Sequence, residues 1–344
     1  LGPYTTLFRS TATILFLTGI IFSINNKKLL MDFFIIAIIL PFSGATWQKK
    51  GWGNKSISFE KETNYYDAKV VDTYLPVVGD SRILFLDFDS HSIQTKKVNQ
   101  YLYPEMYPVF DYLKPNLQSI LTIGAGAYTM PKLFKSYYKD ADVSVIETDP
   151  EMINIGNDYF DLGKFDIKTE IGDAKIVMKK DTKKYDLIFG DAYNSFIAVP
   201  WYLLTKEWND QTKTKLNDQG IYAINFIGSI SGDGKDFTNS VVNTFKQTFP
   251  NFYAFAFGSS PNETQNIVLV GINGNLPMSE QELKEKLSKG TNSFLSDRLI
   301  PIDTLPDKKS ITLTDDFSPV EKLMNPMMKE YFPENLAFMK GISN

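Results

Sequence analysis

The chain reads as an α/β protein built on a largely parallel sheet, and three observations predict it. Beyond Ser119, apolar runs of strand length alternate with segments of helix length, the pattern of a sheet with crossover helices on its faces. Three of these runs end on residues suited to holding a nucleoside: 119–126 runs into a glycine turn, 143–150 carries Glu147 at its strand end, and 185–191 finishes on Asp191. The last two runs, near 251–257 and 265–271, are separated only by a short turn at 259–263, which predicts an antiparallel hairpin at a sheet edge. Ligands of an open sheet bind beyond the carboxyl ends of its strands, so the three strand ends share one crevice.

Taken in order, strands are predicted near 120–124, 143–147, 166–170, 185–190, 220–227, 251–257 and 265–271. Seven strands closed by a hairpin fit a class I methyltransferase-like, Rossmann-like sheet better than a dinucleotide-binding one. This nucleoside-binding domain is assigned to 113–275. Ahead of it, 55–94 alternates and is rich in β-formers, with a turn at 78–81. A small antiparallel β domain is therefore predicted over 49–112, ending in an aromatic-rich helix at 101–113 that Pro115 stops. A helical tail, 276–344, opens with the charged segment 280–288.

The start of the chain reads differently. Residues 3–10 match the translation of a common sequencing adapter, so 1–10 are treated as foreign to the fold and native sequence is taken to begin near Thr11. The apolar run 29–47 is long enough as a helix, about 28 Å, to cross a bilayer core. The run 11–24 is shorter, about 21 Å, which agrees with a cut at its start. Transmembrane segments are expected within 11–48. A signal peptide over 27–45 is the rival, with its basic start and Ser-Gly-Ala end.

Composition excludes several classes. The chain of 344 residues has net charge -4, which argues against a nucleic-acid footprint. It has no cysteine, so disulfides, thiolate metal sites and cysteine nucleophiles are absent. His91 is its one histidine, leaving little from which to build a histidine triad or zinc site. No metal is expected.

The site residues follow from the strand ends. Gly124 and Gly126 let the backbone turn sharply and approach a ligand, although a plain tight turn explains them equally. Glu147, about twenty residues on at the next strand end, is placed to accept both ribose hydroxyls. Asp173, followed by Ala174, opens a helix after the third strand; it can cap that helix or accept the adenine amino group. Asp191 is the catalytic candidate, a carboxylate on a rigid strand end that can pair with a substrate ammonium and take its proton. The segment beyond it, with Tyr193, Asn194 and Val199-Pro200-Trp201-Tyr202, reads as an aromatic loop over the site.

Residues 185–194 and 199–207 resemble spermidine synthases, and most closely the membrane-fused branch of transporter-like and spermidine synthase proteins. Residues 84–92 and 313–321 share that likeness, which covers roughly 58–323. The resemblance implies aminopropyl transfer from decarboxylated S-adenosylmethionine to putrescine, with no metal; S-adenosylmethionine itself is the co-substrate of the methyltransferase alternative. It implies ribose binding by Glu147, adenine binding by Asp173 and Ala174, and deprotonation of the attacking amine by Asp191. His91 falls where the family has a cofactor-contacting glutamine. Tyr66, Tyr103, Tyr193 and Asn194 fall at substrate-binding positions. The implied partners are a small polyamine-like amine and the membrane, with a homodimer compatible and the soluble part facing the cytoplasm of a bacterial inner membrane.

Two departures stand out. Ala127 occupies the position of the family acid that meets the aminopropyl amine, and Asn194 that of its second active-site acid. Asp67, Asp89, Asp315 and Asp316 are the acids available to compensate. A methyltransferase and a non-catalytic nucleoside or polyamine sensor are the alternatives to aminopropyl transfer.

Overall fold

A computed structural model describes residues 56–75, 79–87, 89–95, 103–192, 200–305 and 310–327. The adapter-like stretch 1–10 and the apolar runs within 11–48 lie outside these residues, as do Tyr193 and Asn194. Among the described residues no helix is long and apolar enough to cross a membrane.

Four strands form the small antiparallel sheet in the order β1-β2-β3-β4: β1 (Ser56–Glu62), β2 (Asp67–Leu75), β3 (Gly79–Leu86) and β4 (Asp89–Thr95). Alternation along β2 buries Ala68 and Val70, and β3 buries Leu84 and Leu86. These side chains share a buried cluster with Ala125, Ala127 and Tyr128 of the glycine turn. The small sheet is thereby packed on the glycine-turn end of the large one. A 3-10 turn, Tyr103–Met106, then leads into α1 (Tyr107–Leu113).

The large sheet holds β5 (Ser119–Ile123), β6 (Asp142–Glu147), β7 (Ile167–Ile171), β8 (Tyr185–Gly190), β9 (Leu216–Gly228), β10 (Phe252–Ala256), β11 (Gln265–Ile272) and β12 (Leu299–Ile300). Its order is β12-β10-β11-β9-β8-β5-β6-β7. Strands β5 to β9 pair in parallel, and β11 runs antiparallel to both β9 and β10. All seven predicted strands are present, yet the seven-stranded expectation is corrected to eight. The predicted helical tail also folds back as β12, which pairs with Ala254 and Phe255 and takes the edge expected for the hairpin. Two residues carry no periodicity, so no pattern in the sequence announced it.

Each face of the sheet is covered by an apolar cluster. Strand β8 is buried along its whole length, as expected for a strand central to a two-sided sheet. Chain order reverses between β5 and β8: the chain runs outward from β5 through β6 to β7, then returns to β8 beside β5. Such a switch point opens the crevice in which open α/β sheets bind ligands. Helices α2 (Thr129–Tyr137), α3 (Glu151–Tyr159) and α4 (Ala174–Lys180) connect the strands that frame it, while α5 (Lys206–Thr214), α6 (Lys235–Thr248) and α7 (Glu280–Lys289) follow farther along the chain.

Candidate nucleoside and amine site

The switch point is built from the glycine turn. Gly124 has φ +89° and donates its N–H to Ile146 O at 2.9 Å, while Asp191 N–H donates to Ile123 O at 2.8 Å. These bonds tie the ends of β6, β5 and β8 together. A Cβ on Gly124 would lie 2.9 Å from the Asp191 carbonyl carbon, and one on Gly126 (φ +50°) would lie 2.8 Å from Ser92 Oγ. Both positions need glycine for its conformation and for its lack of a side chain.

Glu147 is 7% exposed and anchors this turn. Its Oε2 accepts from Ala125 N–H at 2.8 Å, and its Oε1 accepts from Thr148 N–H at 2.6 Å and Asp149 N–H at 3.0 Å. Burial raises its carboxyl above the ordinary range, and the three backbone donors oppose that shift. Asp149, 2% exposed, caps the following turn through Glu151 N–H and keeps its buried Oδ2 without a hydrogen-bond partner among the described residues. Asp173 caps α4, accepting from Ile176 N–H at 3.1 Å, and Ala174 is buried beside it as the first residue of that helix. Burial, and then hydrogen bonding to Asp173, pushes the Tyr202 phenol up to about 12.

Asp191 stands just past β8 with both oxygens engaged. Asn225 Nδ2 donates to Oδ1 at 2.8 Å and Tyr103 Oη donates to Oδ2 at 2.8 Å. Burial raises the carboxyl, while the two donors hold it down. Tyr103 stacks on Phe189 with centroids 6.5 Å apart, and burial and the Asp191 charge together raise its phenol well above the usual range.

The small sheet supplies the opposite wall. Tyr66 is buried, and its phenol is raised by burial and then by the charges of Glu147 and Asp149. The His91 ring lies 6.5 Å from that of Tyr66. Burial lowers the imidazole to about 4, and its Nε2 is buried without a hydrogen-bond partner among the described residues. Ser92 Oγ accepts from Ala127 N–H at 2.9 Å, pinning the glycine turn from β4.

The structure thus brings Glu147, Tyr66 and His91 to the glycine turn, and Tyr103 to Asp191. Asp173 does cap its helix and is also hydrogen-bonded by Tyr202. Two compensating acids are committed elsewhere: Asp315 to Lys175 and Thr205, and Asp67 to Lys69. Ala127 is fully buried in the cluster beneath the small sheet. Sequence reasoning missed Ser92, Asp149 and Asn225. Only Asn225 left a signal there, as an amide inside the apolar run 221–227.

Among the described residues, none of Glu147, Asp149, Asp173 and Asp191 forms an ion pair with lysine or arginine, and no group of three or more His, Asp or Glu could hold a metal. A crevice lined by unpaired carboxylates favours a cationic ligand.

No protein-family model matches the chain. It is 27% identical over 222 residues to a polyamine aminopropyltransferase of Vibrio vulnificus, covering 61% of this chain and 71% of that protein. It is 26% identical over 288 residues to a "probable polyamine aminopropyl transferase" of Bifidobacterium longum, covering 76% of this chain and 63% of the relative, less than two thirds of its length. A solved spermidine synthase in complex with the transition-state analogue AdoDATO shares the fold, with TM-score 0.52 and 16% identity over 79% of this chain and 88% of that one. Fold and likeness define an α/β transferase of the methyltransferase-like type. Within that class the chain is similar in sequence to polyamine aminopropyltransferases and in fold to spermidine synthases.

Proposed function

We propose that the chain transfers the aminopropyl group of decarboxylated S-adenosylmethionine to putrescine or a related amine, with Asp191 as the base. One observation carries this: a buried carboxylate at the switch point, hydrogen-bonded by Tyr103 and Asn225, with no lysine or arginine to neutralise it among the described residues. In this assignment Asp191 receives the proton that the amine sheds as its nitrogen bonds to the propyl carbon. The carbon–sulfur bond breaks with both electrons going to sulfur, which loses its positive charge, so no metal is required to activate the leaving group. Glu147 holds the ribose and Asp173 the adenine, at the edge that α4 opens. Tyr66 and His91 close the site from the small sheet, Tyr103 lies along the amine path, and Tyr193 and Asn194 are assigned to the amine by the sequence resemblance alone.

The residues fit such a donor. Glu147 keeps one lone pair on Oε2 beside its three backbone bonds, and Asp149 Oδ2 is buried without a hydrogen-bond partner among the described residues. The domain boundaries near 49, 113 and 276, the homodimer, and membership of the membrane-fused branch with spans in 11–48 belong to the same proposal.

Ala127 favours a second reading. With an apolar residue where the family acid stands, nothing there repels a carboxylate, so intact S-adenosylmethionine and methyl transfer are its natural alternative. Calorimetric titration with decarboxylated S-adenosylmethionine, S-adenosylmethionine and methylthioadenosine, followed by product analysis with putrescine, separates them. Preference for the decarboxylated form together with a longer polyamine is the expected result. Preference for the carboxylated form with a methylated product would overturn it, as would binding without turnover, the behaviour of a sensor.

A further inference from the structure

The face of the large sheet that carries Asp191 is apolar below it. Leu187 and Phe189 of β8, Ile221 and Ala223 of β9, and Val268 and Val270 of β11 all lie in one buried cluster. Strand alternation continues the same face to Asp191, Asn225 and Asn266. Register brings these three together, because Gly190 stands opposite Ile224, Asn225 opposite Val268 and Asn266 opposite Ile227. They are hydrogen-bonded in series: Asn266 Nδ2 donates to Asn225 Oδ1 at 3.1 Å, and Asn225 Nδ2 donates to Asp191 Oδ1 at 2.8 Å.

An amide that is 2% exposed on an apolar face is destabilising unless it is bonded, and a leucine there would pack as well. What the row supplies instead is a donor aimed at Asp191. Asn266 matters because it occupies the amide oxygen of Asn225, which turns the NH2 group, and not the oxygen, toward the carboxylate. We infer that, with Asp191 as the base, Asn225 held by Asn266 is a positioning residue that orients Asp191 and favours its ionised form.

The groups facing Asp191 from each side are few. Tyr103 approaches from the 3-10 turn. From β9 comes Asn225 alone, for Tyr222 lies on the opposite face, where its hydroxyl accepts from Trp208 Nε1 at 2.9 Å. β5 presents no ionisable side chain, the one phenol of the glycine turn, Tyr128, is hydrogen-bonded with Thr169 Oγ1 at 2.9 Å, and no lysine or arginine contributes to the Asp191 environment among the described residues.

The test is Asn225→Leu, which keeps the branching of the side chain without its polar atoms, with Asn266→Ala as a second variant. Infrared difference titration follows the Asp191 carboxyl band, identified by its loss in Asp191→Asn, and a thermal scan checks that each variant is folded. The Asp191 midpoint is expected to rise by about one pH unit in Asn225→Leu, because a donor to the charged form is lost, and by less in Asn266→Ala. The acid limb of kcat/KM with decarboxylated S-adenosylmethionine and putrescine should move upward with it. An unmoved infrared midpoint in folded Asn225→Leu would overturn the inference; if that variant does not fold, an unmoved midpoint in Asn266→Ala does so. A raised infrared midpoint with an unmoved activity profile upholds the role of Asn225 and removes Asp191 as the base.

Discussion

Replacing Gly124 with alanine places a methyl group where the ends of β5 and β8 are tied together. The new Cβ would stand 2.9 Å from the Asp191 carbonyl carbon and 3.0 Å from Ala192 Cα, and closer still to the Asp191 carbonyl oxygen. Reaching the ordinary 3.4 Å from that carbon alone requires a retreat of about 0.5 Å, and the obstacle is backbone, which cannot swing aside as a flexible side chain would. Alanine at φ +89° adds conformational strain of about 1–2 kcal/mol. The displacement carries Asp191 away from the nucleoside turn, and misplacing a reacting group by about 1 Å costs on the order of a hundredfold in rate. Gly124→Ala is therefore expected to lose roughly tenfold to a hundredfold in kcat/KM, equivalent to about 1.4–2.7 kcal/mol. Nucleoside affinity should weaken as well, since the same turn approaches the ligand. Calorimetry and steady-state turnover measure both. Gly163→Ala is the control, with φ outside the strained range and only Asn157 Oδ1 near its added methyl, at 3.5 Å. Gly124→Ala with affinity and turnover within twofold of the parent would refute the reasoning.

Asp191→Asn should abolish turnover while leaving nucleoside affinity unchanged, and it should not destabilise the fold at neutral pH. Burial raises this carboxyl, so the native state loses stability as pH rises through its titration; melting temperatures should favour the amide above that range and converge with the parent's below it. Glu147→Ala strips the acceptor from three backbone donors and should weaken nucleoside binding by about tenfold or more, with a loss of about 2–3 kcal/mol in denaturant unfolding. Full-strength nucleoside binding by that variant would exclude the ribose role. His91 is depressed to about 4, so its contribution to stability is present above the unfolded value of about 6.5 and is lost as pH falls toward 4. His91→Gln should flatten the acid side of the stability curve over that interval, and an unchanged slope would place the cause elsewhere.

Much of the fold was legible because its signals are local. The run 187–189 is apolar, and its strand is buried along its whole length. Gly124 and Gly126 follow an apolar strand, and both adopt the positive φ that a sharp turn requires. Glu147 and Asp191 close the next strands as carboxylates, and both lie at the switch point. Strand β12 was not legible, because two residues at 299–300 have no period and owe their state to the edge of β10. Nor were the commitments of Asp315 and Asp67, since each depends on which lysine the fold brings near.

The chain by itself determined the class of fold, seven of its eight large-sheet strands, and the strand ends on which the proposed nucleoside site stands, because hydrophobic period, turn chemistry and capping act over a few neighbouring residues. Tertiary structure decided the rest. Packing of the small sheet brought Tyr66, His91 and Ser92 to the glycine turn, and the register of β8, β9 and β11 lined up Asp191, Asn225 and Asn266. Those partners are separated by 35 residues between Ser92 and Ala127 and by 41 between Asn225 and Asn266. Whether they meet depends on strand order and register, which are chosen by burial over the whole sheet.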